Sequence, residues 1–324
     1  MQRMMITTIL AYVIGVILGK LLLPVLYKLK FGQNIYELAP EAHRKKQGTP
    51  IMGGLIFAGA SIAATLLAHD SAVPLMQNMA LAMILMALGN MGIGFADDMT
   101  KIRGGRNEGL TPRQKIAFQT ALALAFSLYC YFHPQVGSVI RIPFLRTELD
   151  LDILYVPIMM FIIVGTTNSA NLLDGLDGLC AGVSMLDFAT LAILAGVAGF
   201  GGDLGVCCTA MVGGLMGYWV YNVHPAKVFM GDTGSMYIGG AVVAAAMLLR
   251  QPLILVLISF WMLMSSLSVI IQRVYFKKTG GKRIFKMSPI HHHFELCGMS
   301  EFRIVAMYMT TTVILCLITL LGTL

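Results

Sequence analysis

Residues 75–101 read LMQNMALAMILMALGNMGIGFADDMTK. The stretch is nearly pure apolar over about twenty residues, the length that crosses a bilayer as a helix. Two carboxylates, Asp97 and Asp98, then follow side by side, with Lys101 one helical turn on. Like charges in contact repel, and a membrane edge is a poor place for either. The stretch therefore sets two expectations, a membrane-spanning helix and a polar centre at its end.

The rest of the chain repeats the pattern. Of 324 residues, 57% are hydrophobic and only 12% charged, with a mean hydropathy of +0.78. A soluble globular protein carries roughly twice that charge. Apolar runs near 5–26, 51–68, 75–95, 115–132, 154–171, 179–199, 204–222, 235–249, 253–275 and 303–324 predict an all-α polytopic membrane protein of about ten spans. Strands alternating over about ten residues, the mark of an outer-membrane barrel, do not dominate. The first run is too long for a signal peptide and lacks a small-residue cleavage site, so it reads as a retained helix. The whole chain, 1–324, reads as one integral membrane domain. The six cysteines form no C-x-x-C pair and mostly fall within apolar runs, as buried small hydrophobes do.

The net charge of +7 fits topology better than nucleic acid. Placing the N-terminus outside puts 18 of the 23 Lys and Arg residues in or beside five inner loops. By the positive-inside rule both termini are then extracytoplasmic. The outer segment 137–152, GSVIRIPFLRTELDLD, alternates with β-branched residues and predicts a small hairpin.

All five inner loops carry unusual motifs. His43–Gly54, HRKKQGTPIMGG, sets Lys45 and Lys46 beside a Gly-Thr-Pro turn at Thr49. Lysines alone could be a collar on anionic lipid, but a turn with free amides suits phosphate. In the second loop, adjacent carboxylates serve as hard oxygen ligands or as an acid/base pair. The LTPRQK that follows reads as an ordinary helix start, with Thr111 as N-cap and Pro112 at the first helical position. The third loop, NSANLLDGLDGL at 168–179, spaces Asn168, Asn171, Asp174 and Asp177 every third residue. On a helix this is one stripe of polar groups, costly beside a membrane unless they bind something. The fourth, HPAKVFMGDTGS at 224–235, sets Asp232 just before a helix and Phe229 where it could stack on a base. An acid there would meet phosphate only through a metal. The fifth holds His291, His292 and His293 consecutively, without the i, i+4 spacing of a zinc helix; they read as phosphate-contacting or proton-handling groups.

In KQGTPIMGG, FADDMTK, NLLDGLDGL, NVHPAKVFMGDTGS and SPIHHHFEL, taken in that order, the chain resembles the polyprenyl-phosphate N-acetylhexosamine-1-phosphate transferase superfamily. Within it, SPIHHHFEL and the Gly-Thr-Pro turn resemble the phospho-N-acetylmuramoyl-pentapeptide transferases. Ile51 and Leu173 stand where threonine is common in that family. The resemblance spans essentially the whole chain. It implies ten membrane helices and a homodimer in a bacterial cytoplasmic membrane, with an active site facing the cytoplasm. The implied reaction is Mg²⁺-dependent transfer of phospho-MurNAc-pentapeptide from its UDP donor to undecaprenyl phosphate, giving lipid I and UMP. By motif, Asp232 resembles the Mg²⁺ ligand, with Asp97 or Asp98 as alternatives for a second. Asp97, Asp98, Lys101 and His291 to His293 resemble the remaining catalytic groups. Lys46, Thr49, Asn168, Asn171, Asp174, Gly175, Leu176, Asp177 and Phe229 are the candidate uridine and diphosphate contacts. A sister transferase acting on UDP-GlcNAc is the nearest rival. A transporter is the rival of another class, but transporters place polar groups at the bilayer midplane, and here only Asp187 lies deep within a span.

Overall fold

The computed structural model describes residues 1–28, 46, 48–68, 77–104, 109–145, 147–200 and 202–324. His43 to Lys45 of the first motif lie outside the described residues. The helices in chain order are α1 (Gln2–Lys28), α2 (Gly54–Ala68), α3 (Met79–Gly104), α4 (Pro112–Phe132), α5 (Tyr155–Leu173), α6 (Leu179–Val197), α7 (Leu204–Asn222), α8 (Gly231–Leu248), α9 (Leu255–Ile258), α10 (Phe260–Lys278), α11 (Ile290–Leu296) and α12 (Glu301–Thr323).

Seven of these segments are long and apolar enough to cross a membrane, or eight if Pro252–Ile258 and Phe260–Lys278 form one span. The other two predicted spans correspond to α2, of 15 residues, and α8, of 18. α8 is buried among other helices, whereas α2 exposes Leu66 and Leu67 at its end. Every residue of α8 from Thr233 to Leu248 is buried, and the helix packs against α2, α3, α5 and α6. A helix enclosed on all sides needs no lipid-facing stripe, so small residues suffice. That explains how Gly-Gly-Ala-Val-Val-Ala-Ala-Ala (239–246) runs down the middle of the molecule.

Small residues also set the closest contacts. A Cβ on Gly213 of α7 would overlap the Thr8 carbonyl of α1, and one on Gly217 would lie 2.7 Å from the Tyr12 carbonyl. In α3, a Cβ on Gly94 would overlap the carbonyl of Asp232. Local signals place the helix starts. Thr111 and Gln114 form the reciprocal cap expected at α4, with Pro112 as its first residue.

Two strands, β1 (Val139–Ile142) and β2 (Thr147–Asp150), pair antiparallel with Arg141 opposite Glu148. The Phe144 N–H donates to the Gly322 carbonyl near the end of α12, and Arg141 N–H to the Arg250 carbonyl just past α8. The hairpin thus sits at the ends of α8 and α12 that are remote from Asp232 and Glu301. The ninth predicted span is sharply broken. Pro252–Ile258 and Phe260–Lys278 meet at Ser259 with a bend of 82°. Ser259 Oγ donates to Asp187 Oδ2 at 3.0 Å, so the deep carboxyl on α6 contacts that break. Five cysteines are buried and Cys297 is exposed.

Candidate active site

The first turn of α8 is the meeting point. Gly231 opens it with φ +70, a conformation that favours glycine, and Asp232 follows. The unsatisfied N–H groups of a helix start need acceptors. Asp98, from α3, supplies them: its Oδ2 accepts from Thr233 N–H at 2.9 Å and Thr233 Oγ1 at 2.7 Å, and its Oδ1 from Asp232 N–H at 3.2 Å. Asp98 is therefore a cap donated by another helix, with most of its lone pairs engaged.

Asp97 faces elsewhere. Its Oδ1 accepts the Leu110 N–H at 2.9 Å, and its Oδ2 lies 2.6 Å from Lys101 Nζ. Asp232 Oδ2 is approached by two ammoniums, Lys115 at 2.8 Å and Lys101 at 3.2 Å. Asp232 Oδ1 accepts from Asn171 Nδ2 at 2.7 Å, and the same amide reaches Ser235 Oγ. Burial pushes the Asp232 carboxyl up. A hydrogen bond with Asp97 and the Lys115 and Lys101 charges outweigh that and hold it below the usual carboxylate range. Asp97, Asp98 and Asp232 each offer an oxygen, and the three oxygens lie within 4.8 Å of one another. Such a set of hard oxygen donors fits a small divalent cation.

Asp174 caps the C-terminus of α5. Burial, then the Asp232, Asp98 and Asp177 carboxylates, push it up to about 8. Asp177 belongs to a second cluster, 2.7 Å from Lys46 Nζ, together with His224 and Glu301.

The other predicted residues divide. His291 is fully buried with its ring against the Gly175 loop, where a Cβ on Gly175 would overlap its Nε2. His292 Nδ1 lies 3.2 Å from Glu295 Oε2, and His293 Nδ1 accepts the Lys286 N–H at 3.1 Å. The run thus sends one ring to the acidic loops and two into its own loop. Phe229 ties loops together, its N–H donating to the Pro50 carbonyl at 2.9 Å and its carbonyl accepting from Gly53 at 2.8 Å. Thr49 closes a turn on the Lys46 carbonyl. Asn168 points its amide at Gln119 Oε1 and the Val164 carbonyl rather than at Asp232. Leu176 is core.

Lys115, Glu301 and His224 were not expected. Lys115 lies within LTPRQK, one turn past a perfectly regular cap, where a lysine reads as a solvated helix residue. Its only sequence signal is membership of the inner-loop cation excess.

Residues 80–250 match the model of glycosyl transferase family 4. A phospho-N-acetylmuramoyl-pentapeptide-transferase of Clostridium novyi (strain NT) is 42% identical over 318 residues, 98% of this chain and 96% of the relative. One from Thermoanaerobacter sp. (strain X514) is 44% identical over 317 residues, 97% and 96% of the two chains. One from Clostridium kluyveri (strain NBRC 12016) is 42% identical over 98% of both. Identity at this level, end to end, means that this chain belongs to the phospho-N-acetylmuramoyl-pentapeptide-transferase family and, more broadly, to glycosyl transferase family 4.

Proposed function

We propose that this protein transfers phospho-MurNAc-pentapeptide from UDP-MurNAc-pentapeptide to undecaprenyl phosphate, releasing UMP and forming lipid I. The relatives' name carries the substrates. The observation that carries the reaction class is the cluster of three carboxylates and two lysines at the start of α8. The enzyme works in a bacterial cytoplasmic membrane as one multi-pass domain, 1–324, with ten spans and the cluster facing the cytoplasm. It functions as a homodimer and uses no nucleic acid.

Mg²⁺ is the metal we assign, held by Asp232 with Asp97 or Asp98; when bound it neutralises the diphosphate and orients it. The protein's own groups do the rest. The reaction exchanges one phosphoanhydride for another, so its barrier is mainly the approach of two anions. Lys101 and Lys115 offset that repulsion, and fixed positions for both phosphates lower the entropic part. Asp98 positions the α8 start through its bonds to Asp232 and Thr233. Asp97 is free of that task and takes any proton left on the lipid phosphate. A phosphate near neutral pH is already largely ionised, so direct attack on the β-phosphorus needs no covalent enzyme intermediate. His291 buttresses the Gly175 loop.

Replacing Lys115 with Gln removes one charged contact from Asp232. A charge-assisted hydrogen bond contributes about 1.5–3 kcal/mol, so kcat should fall about 10- to 100-fold. Steady-state UMP release checks it, and an unchanged kcat would remove Lys115 from the centre. The donor itself is tested by exchange of radiolabelled UMP. Label should enter UDP-MurNAc-pentapeptide and not UDP-GlcNAc; the reverse preference would favour the sister reaction.

A further inference from the structure

We propose that Glu301 is a positioning residue for the nucleotide-binding side of the site, aligning Lys46 and the 174–178 loop. The inference rests on the functional reading above, with Lys46 and the 174–178 loop taken as the nucleotide side of the site.

Glu301 is the first residue of α12, where an acid is favourable merely by facing the helix N-terminus. Its carboxylate makes more specific contacts. Oε1 lies 2.7 Å from Lys46 Nζ and accepts the Asp177 N–H at 2.6 Å, and Oε2 lies 3.0 Å from Lys46 Nζ and 3.2 Å from His224 Nδ1. Three donors from three remote segments therefore converge on one acceptor-only side chain. Asp177 completes the ring: Oδ1 accepts from Lys46 at 2.7 Å, while Oδ2 lies 3.0 Å from His224 Nδ1 and accepts the Ala226 N–H at 3.0 Å.

The Asp177 carboxylate is 1% exposed and fully engaged in this ring, so it is held in place and does not reach out to a ligand. The adjoining backbone is fixed too, with the Gly178 N–H on Asn222 Oδ1 and its carbonyl receiving Trp219 Nε1, each at 3.0 Å. The ring thereby holds Lys46 beside the backbone of the 174–178 loop. Glu301 is the member that joins Lys46, the Asp177 backbone and His224 at once.

A glutamine at 301 keeps the shape but turns an amide N–H₂ toward donors and loses the charge that holds Lys46. Full-length protein in detergent, with saturating undecaprenyl phosphate, is assayed against varied UDP-MurNAc-pentapeptide, and UMP binding is followed by calorimetry. For E301Q, loss of charge-assisted bonds should raise the nucleotide KM and the UMP Kd about tenfold. Its kcat should stay within about threefold and its lipid KM unchanged. E301D, which keeps the charge, should recover part of the loss. E148Q, in the exposed hairpin, should match wild type in all of these. Should E301Q be too unstable to purify, E301D decides alone by the same split, a raised nucleotide KM with kcat retained. An unchanged nucleotide KM, or a kcat loss that tracks a falling Tm with KM unmoved, overturns the proposal. Wild-type protein that neither binds UMP nor turns over would instead remove the functional reading, and this proposal with it.

Discussion

Asp232→Asn is expected to abolish UMP release while leaving the fold intact. Asp232 Oδ2 is the shared partner of Lys101 and Lys115, and Oδ1 is that of Asn171. Asparagine keeps an acceptor for Asn171 but removes the charge that both ammoniums and a divalent cation need. Losing one preorganised electrostatic group costs about 10²–10³-fold in comparable sites, and here metal binding is lost as well, so a fall of about 10³-fold or more is expected. The fold should tolerate the change. Asp232 is only partly buried, and the Asp98 cap on its N–H and on Thr233 does not involve the altered atom. Thermal melting in detergent beside UMP release checks both halves. Turnover within tenfold of wild type would end the assignment of Asp232 as the metal ligand.

Gly94→Ala is expected to damage the same centre from the other side, through a single methyl group. A Cβ there would overlap the Asp232 carbonyl oxygen and lie 2.5 Å from its carbon and 2.8 Å from the Thr233 nitrogen, all of them backbone. No rotamer relieves such a contact, so α3 and α8 must part where Asp97, Asp98 and Asp232 meet. Overpacking of this kind costs about 1–3 kcal/mol, and a shift of about 1 Å at reacting groups can cost about 10²-fold. Gly92, two residues earlier, supplies the control: a Cβ there meets nothing within 4 Å. Gly92→Ala should keep full activity and gain up to about 1 kcal/mol of helix propensity. Melting curves and turnover of the two variants side by side test the packing; equal activity would contradict it.

The contrast between these glycines marks how far the sequence could be read. Both belong to GIGFADD, and both look like breaks in an apolar run. Only the crossing of α3 with a helix some 140 residues on separates them, and no local pattern encodes that crossing. The helices themselves were legible because hydrophobic length is a local property. So was the cap at Thr111. The motif residues Asp97, Lys101, Asn171 and Asp232 come together as their polar placement beside apolar runs implied. Three features escaped for physical reasons. The capping role of Asp98 was hidden because its partners, the N–H groups of Asp232 and Thr233, come from another helix. The histidine triplet looked like one unit, yet α11 turns successive side chains about 100° apart, sending His291 inward and its neighbours to Glu295 and Lys286. The ninth predicted span reads as one apolar run, yet it breaks at Ser259, beside Asp187.

The central claim is a metal-dependent transfer in which lipid phosphate attacks directly at the α8 cluster. Purified protein is mixed with UDP-MurNAc-pentapeptide, with or without undecaprenyl phosphate, and UMP is counted through the first turnover in Mg²⁺, in EDTA, and after Mg²⁺ is restored. We expect UMP only when lipid and Mg²⁺ are both present, with lipid I formed in equal amount and activity recovered on adding Mg²⁺ back. A burst of one UMP per enzyme without lipid would contradict direct attack, and full turnover in EDTA would contradict the metal centre.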